Sequence, residues 1–227
     1  MSLKPDSACV PEERVGAAFD PALFAESRRL SHELVREVAS VVRPGMSEDD
    51  AHAAAGRVFK GRRIEKFWHA TKIRFGRNTT CNFGDPSDPG VRLATGDLFF
   101  VDLGIVWKGH EGDAGDTFVV GEAGPTQNDP IIEASHAVFA ETRNAWMRHG
   151  WSGERLYAHA AAAAKSRGFE LNPRMDGHRL SDFPHAVHFK GGLAEFGTKP
   201  AASLWVLEIH LLDRSRGVGA FFEDLLV

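Results

Sequence analysis

The sequence predicts a mixed α/β (α+β) fold made of two related halves, each a pair of helices followed by an acidic β-hairpin. Three observations carry this. The stretches 97–121 (DLFFVDLGIVWKGHEGDAGDTFVVG) and 203–227 (SLWVLEIHLLDRSRGVGAFFEDLLV) each read as two strands around a tight turn. Each holds a pair of carboxylates: Asp102 and Asp113, eleven residues apart, and Glu208 and Glu223, fifteen apart. Third, Arg43/Arg148, Gly45/Gly150 and Ser47/Ser152 all recur at an offset of 105, and Asp102/Glu208 at 106. The repeat would bring the two acidic hairpins together around a pseudo-two-fold axis.

The elements follow in order. Residues 1–21 are expected to form a loose N-terminal arm, and 22–227 the folded domain. Over 21–42, Leu23, Leu30, Leu34, Val38 and Val41 fall near one helical face. Arg43-Pro44-Gly45-Met46 stops that helix. Ser47, followed by Glu48, Asp49 and Asp50, reads as an N-cap with an acidic first turn, opening a second helix to about residue 60. Residues 67–75 are strand-like, and 76–96, rich in Gly, Asn, Asp and Pro, form a loop before the first hairpin. The second round repeats the order: a helix over 131–149 stopped by Gly150, a helix capped by Ser152 running to about residue 167, then a loop and a His-rich strand region leading to the second hairpin.

The chain has 227 residues, 43% of them apolar, enough for a sizeable core. Its net charge of -4 and the lack of a long basic run disfavour nucleic acid as a partner. Cys9 and Cys81 are the two cysteines, with no CxxC, which suits a reducing cytoplasm. Neither a signal-peptide core nor a run approaching the roughly 20 apolar residues of a membrane helix is present. The oligomeric state is open, and a homodimer is allowed.

The hairpins carry the chemistry. A turn centred on Trp107-Lys108 would set Asp102 directly opposite Asp113, and one centred on Ser215-Arg216 would set Glu208 opposite Glu223. Directly opposed residues share one face, with Cβ atoms about 5 Å apart. The apolar flanks imply burial, and burying two anions side by side is costly unless a cation lies between them. An arrangement made twice points to metal ions. Between the hairpins, His178 and His185 are seven apart; an odd spacing sends strand side chains to opposite faces, so a bend near Pro184 must intervene if both serve one site.

The ordered set Asp102, Asp113, His178, His185, Glu208 and Glu223, in the contexts VDLG, GDAGDTF, GH……H, LEIH and FFED, resembles the metallopeptidases of the pita-bread fold. That family includes methionine aminopeptidase, aminopeptidase P, prolidase and the non-peptidase creatinase. The resemblance spans roughly 22–227. It implies a curved antiparallel sheet with outer helices and a site for two divalent ions (Mn, Co, Fe or Zn). Asp102 would hold one ion, His178 and Glu208 the other, and Asp113 and Glu223 would bridge them. One imidazole with four carboxylates is an oxygen-rich set that suits these metals. The implied reaction is hydrolysis of an amide bond in a short peptide by a metal-bridging hydroxide, of the aminopeptidase or Xaa-Pro peptidase type. Glu208 would relay the proton and His185 would bind the substrate or the oxyanion. The rivals are a creatinase-like hydrolase of a small non-peptide C–N substrate and a non-catalytic binding module.

The match departs in three places. The family's usual histidine in the loop before the first ligand strand is missing, since the loop reads Thr79-Thr80-Cys81-Asn82-Phe83. The large N-terminal domain of prolidase and aminopeptidase P is not part of the pattern, and the gap between Glu208 and Glu223 is short. His69 is the nearest upstream imidazole, with no place fixed by the pattern. His69, Arg74, Asn82, His188 and His210 are candidate substrate contacts, with Arg74 or Arg77 able to grip a carboxylate. His210, two residues after Glu208, would face the metals on a regular strand. Asp116 reads as a hydrogen-bonding support.

Overall fold

The computed structural model describes residues 10–227. The first helix, α1 (Pro21–Ala39), starts where the Asp20 carboxylate accepts hydrogen bonds from the Ala22 and Leu23 amides, with Pro21 in the first turn. α2 (Glu48–Phe59) opens with a capping box: the Ser47 hydroxyl accepts from the Asp50 amide, and the Asp50 carboxylate accepts from the Ser47 amide. α3 (Pro130–His149) is capped by Asp129 and ended by Gly150 in the left-handed conformation, and α4 (Gly153–Ser166) is capped by Ser152. Ser47 and Ser152 thus cap the second helix of each half alike, but the stops differ: α3 runs up to Gly150, whereas α1 ends at Ala39 with Ser40 as its C-cap, before the expected Arg43–Met46 stop.

The strands are β1 (Lys66–Phe67), β2 (Lys72–Phe75), β3 (Leu98–Trp107), β4 (His110–Val119), β5 (Glu170–Leu171), β6 (Val206–Asp213) and β7 (Val218–Leu225). They form one antiparallel sheet in the order β1-β3-β4-β7-β6-β5, with β2 also pairing with β3. Each half has its own core on the outer face of the sheet. Leu34, Val38, Ala51 and Ala55 of α1 and α2 pack on Val101, Leu103, Ile105 and Ala114. Ile131, Val138, Leu156 and Ala160 of α3 and α4 pack on Leu207, Ile209, Leu211 and Ala220. The alternation of strands sends the intervening residues to the inner face.

The halves join between β4 and β7 at Gly115 and Glu223. Beside that pair, the Thr117 hydroxyl accepts from the Phe221 amide (2.7 Å) and donates to the Phe221 carbonyl (2.8 Å). A buried side chain thereby fastens two strands from different halves.

The second hairpin has the expected register, Glu208 opposite Glu223. The first differs. Its turn is centred on Lys108-Gly109, both with positive φ (49° and 71°), and Trp107 pairs with His110. Asp102 therefore faces Gly115 and Asp113 faces Gly104, so the two aspartates are diagonal neighbours on one face. A two-residue turn with both φ values positive matches the twist of the strands, and the glycine decides where it sits.

Two other expectations change. The single strand over 67–75 is broken: residues 68–71 leave the sheet between β1 and β2. The region before the second hairpin is irregular, with His178 in an isolated bridge to Gly192 and a 3-10 turn at His185–Val187. Residues 10–20, expected within a loose arm, are fastened to the body: Glu13 accepts from the Trp205 indole (2.8 Å) and the Ala201 amide (2.7 Å). Residues 1–9 of that arm, Cys9 among them, lie outside the described residues.

Because the Lys108-Gly109 turn sets the register of the acidic hairpin, Gly109→Ala is expected to lower stability by about 1 kcal/mol, the cost of a Cβ in left-handed backbone. Urea unfolding should show a lower midpoint at an unchanged slope.

Candidate metal centre

The inner face carries a row across four strands: Asp102 on β3, Gly115 on β4, Glu223 on β7 and Glu208 on β6. Asp113 stands beside the row on β4, across from Gly104. Both glycines are needed by packing. A Cβ on Gly115 would enter the Phe221 ring and the Glu223 carboxylate, and one on Gly104 would overlap the His69 ring. Asp102, Asp113 and Glu223 are buried, and Glu208 nearly so. Tyr157 holds the Glu208 backbone, donating to its carbonyl (3.0 Å) and accepting from its amide (3.2 Å).

Two imidazoles face this row. His178 Nε2 lies 2.9 Å from Asp113 Oδ2 and 3.7 Å from Glu208 Oε1. His69, at the break between β1 and β2, has its Nε2 3.2 Å from Asp113 Oδ1 and 3.5 Å from Asp102 Oδ1. Glu223 Oε1 is fully buried and, among the described residues, has no hydrogen-bond partner. The acidic and imidazole groups line one cavity of about 290 Å³, with Trp68, Phe83, Arg174, Met175, Lys190 and Phe221 among its other walls.

The electrostatics show how poorly this set tolerates its own charge. Burial, reinforced by Asp113, Asp102 and Glu208, raises the Glu223 carboxyl well above its ordinary range. Burial and the neighbouring carboxylates carry Glu208 up to about 8, and burial lifts Asp102 to about 6. Asp113 goes the other way, to about 2, because hydrogen bonds to His178 and His69 outweigh its burial. Burial pulls both imidazoliums down, but Asp113 together with Glu208 raises His178 to about 9, and Asp102 with Asp113 raises His69 to about 9.

These residues fit divalent cations. Carboxylate oxygens and imidazole nitrogens form a hard, mixed donor set. Two three-residue groups, His69-Asp102-Asp113 and Asp113-His178-Glu223, each place one donor atom per residue within 4.8 Å of the others. The Glu223 oxygen supplies a buried acceptor that no donor among the described residues meets.

The candidate substrate contacts separate sharply. His69 lines the cavity. Arg74 does not: it is buried and donates to the Asp85 carbonyl (2.6 Å) and the Ser87 hydroxyl, because the 82–88 loop surrounds it with acceptors and Ser87 in turn donates to Glu48. Arg77 pairs with Asp88 at the surface. Asn82 is turned into the fold, its amide bound to Asp85 and its oxygen accepting from Asn172 (2.9 Å). His210 shares the inner face but not the cavity. Its Nε2 donates to the Thr79 carbonyl (2.8 Å) and its Nδ1 accepts from Asn172 (3.0 Å), while burial holds it neutral with a pKa lowered to about 4. His188 is not among the lining residues. Asp116 takes the supporting role, bound to His136 and Gln127 on the outer face.

His185 stands behind the cavity wall. Its ring stacks on His178 at 5.5 Å and meets the Trp68 edge at 5.2 Å. Its Nδ1 lies 2.8 Å from Glu111 Oε2, and its amide donates to Glu111 Oε1 at 3.0 Å. Glu111 was not singled out by the sequence reading. The available signal was its place two residues before Asp113, hence on the same face.

The pH response of the metal-free protein follows from these shifts. Glu208, Asp102 and the two imidazoles have folded values above their unfolded ones, so their contribution to stability is complete below the unfolded value and disappears as pH rises through the folded value. Asp113 has the opposite sign, and its contribution is lost as pH falls towards 2. Metal-free protein is therefore expected to melt at progressively lower temperature from pH 5 to pH 9, and divalent metal should restore stability most at the alkaline end. Scanning calorimetry across that range checks this; a melting temperature that rises with pH without metal would contradict it.

The comparisons with known proteins agree with this geometry. Residues 22–227 match the model of metallopeptidase family M24. No curated protein is matched. An X-Pro aminopeptidase from Thermotoga maritima is similar in fold at a TM-score of 0.69 and 16% identity, over 90% of this chain and 60% of that one. A prolidase from Pyrococcus furiosus gives 0.67 at 19% identity, over 91% and 61%. A methionine aminopeptidase from Thermotoga maritima gives 0.67 at 17% identity, over 91% and 97%. The chain thus spans about three fifths of the length of the first two. At these identities the likeness speaks for the fold, and the match over 22–227 speaks for the family: the chain belongs to metallopeptidase family M24.

Proposed function

We propose that this protein is a di-metal hydrolase that cleaves an amide bond of a short peptide, as an aminopeptidase or Xaa-Pro peptidase. The observation that carries the reading is the convergence of Asp102, Asp113, His178, Glu208 and Glu223 on one cavity, with a buried Glu223 oxygen left without a donor. Asp102 would hold one ion, His178 and Glu208 the other, and Asp113 and Glu223 would bridge. Such ions, when bound, supply Lewis acidity and a water acidic enough to attack at neutral pH.

The protein's own groups would do the rest. Glu208 stands at the cavity, where its carboxylate is placed to take up and pass a proton. Trp68, Phe83, Met175 and Phe221 give the cavity apolar walls that exclude water, and Arg174 and Lys190 put positive charge at its edge. The cavity volume of about 290 Å³ suits a small peptide or amide. His185 is assigned a positioning role: held by Glu111 at its Nδ1, its ring backs Trp68 and His178 at the cavity wall and so orients the groups that meet the substrate.

The test is hydrolysis by protein loaded with Mn, Co, Fe or Zn, assayed on free dipeptides, Xaa-Pro peptides and peptides with N-terminal Met. Turnover above the metal-free control is expected with at least one of these classes, and Asp113→Ala and Glu223→Ala should lose both ions and all turnover. Stoichiometric metal with no hydrolysis of any class would replace the enzyme reading with a binding module. A second expectation concerns His185. His185→Ala should keep both ions by elemental analysis and lose about 10²-fold or more in kcat. Loss of metal in that variant would place the ring among the ligands instead.

A further inference from the structure

We propose that His69 is a ligand of the ion held by Asp102 and Asp113, so that the centre is built from two imidazoles rather than one. The inference rests on the di-metal reading above and adds a residue to it.

The two histidines are placed alike. Each points Nε2 at one oxygen of the same carboxylate: His178 at Asp113 Oδ2 (2.9 Å) and His69 at Asp113 Oδ1 (3.2 Å). Each has a second carboxylate within reach, Glu208 at 3.7 Å for His178 and Asp102 at 3.5 Å for His69. Donors that bind one ion at about 2.1 Å lie roughly 3.0–3.5 Å from one another, from square to tetrahedral angles. The His69 separations fall in that range.

The outer side of each ring is also alike. His178 Nδ1 sits 2.8 Å from the carbonyl of Arg179, and His69 Nδ1 sits 3.1 Å from the carbonyl of Ala70, in each case the next residue in the chain. A carbonyl can only accept, so Nδ1 keeps its proton in both rings, and Nε2 is the nitrogen left to face an ion once its own proton is released. This is how metal-binding imidazoles are oriented.

The sheet makes room for the ring. Residues 68–71 leave the sheet between β1 and β2, and Gly104, opposite Asp113, supplies the space that the His69 ring fills. Trp68 (ring centroids 4.4 Å apart) and Phe83 (5.3 Å) meet it edge-on and limit its rotation. A second observation points to an ion in the same cavity, the buried and unpartnered Glu223 Oε1.

The experiment is X-ray absorption on the Zn-loaded wild-type protein, paired with calorimetric titration of Zn into wild type, His69→Ala and His69→Gln. The expected spectrum shows one imidazole per zinc, and the expected titrations show one of two ions weakened tenfold or more in both variants while the other keeps its affinity. One imidazole per two zincs, or wild-type affinity for both ions in variants that remain folded by circular dichroism, would overturn the inference and leave the di-metal reading standing. A wild-type protein that binds no zinc would overturn both.

Discussion

Four carboxyl groups, Asp102, Asp113, Glu208 and Glu223, face one small cavity whose other walls include Trp68, Phe83, Met175 and Phe221. Removing several anions from water into one place is among the least favourable things a fold can do. The protein offsets part of that cost with the His69 and His178 imidazoles, and Asp113 is drawn down to about 2 as a result. The remainder is visible in the Glu223 carboxyl, which is forced up and left with an oxygen no donor meets. Polar groups in such surroundings are met either by protons or by cations. The whole inner face makes sense as a site in which divalent cations replace those protons.

The fold is arranged to hold this unfavourable set in place. Two separate apolar cores, one under α1 and α2 and one under α3 and α4, fix the outer face of each hairpin. Thr117 then fastens the hairpins to one another next to the Gly115–Glu223 pair. Glycines stand opposite both aspartates, so the pleat leaves space where side chains from elsewhere must enter. Strand alternation accounts for the rest, since Asp102 on β3 faces the cavity while Val101, Leu103 and Ile105 face the helices.

Much of this was legible in the sequence. The helix starts could be read because caps are local chemistry: Ser47 and Ser152 act within one turn of backbone. The face occupied by the four carboxylates was legible because alternation is a property of strands alone. The pairing of Asp102 with Asp113 was misjudged because the turn sits one residue later, at Lys108-Gly109; this moves each partner by two residues and keeps the face. What could not be read depends on partners distant in sequence. Arg74 is taken by the 82–88 loop, His210 by Thr79 and Asn172, and Asn82 by Asn172. His69 reaches the cavity because the strand breaks there, and Glu111 matters because a segment some seventy residues later brings His185 to it.

Binding of two cations by the acidic row is best measured by calorimetric titration of metal-free protein with Mn or Zn. Repeating the titration in buffers of different ionisation enthalpy also counts the protons exchanged. Two ions per chain are expected at saturation, with protons released on binding at pH 7, because Glu208, His69 and His178 hold theirs in the metal-free state. Saturation without proton release, or no binding at all, would contradict this expectation.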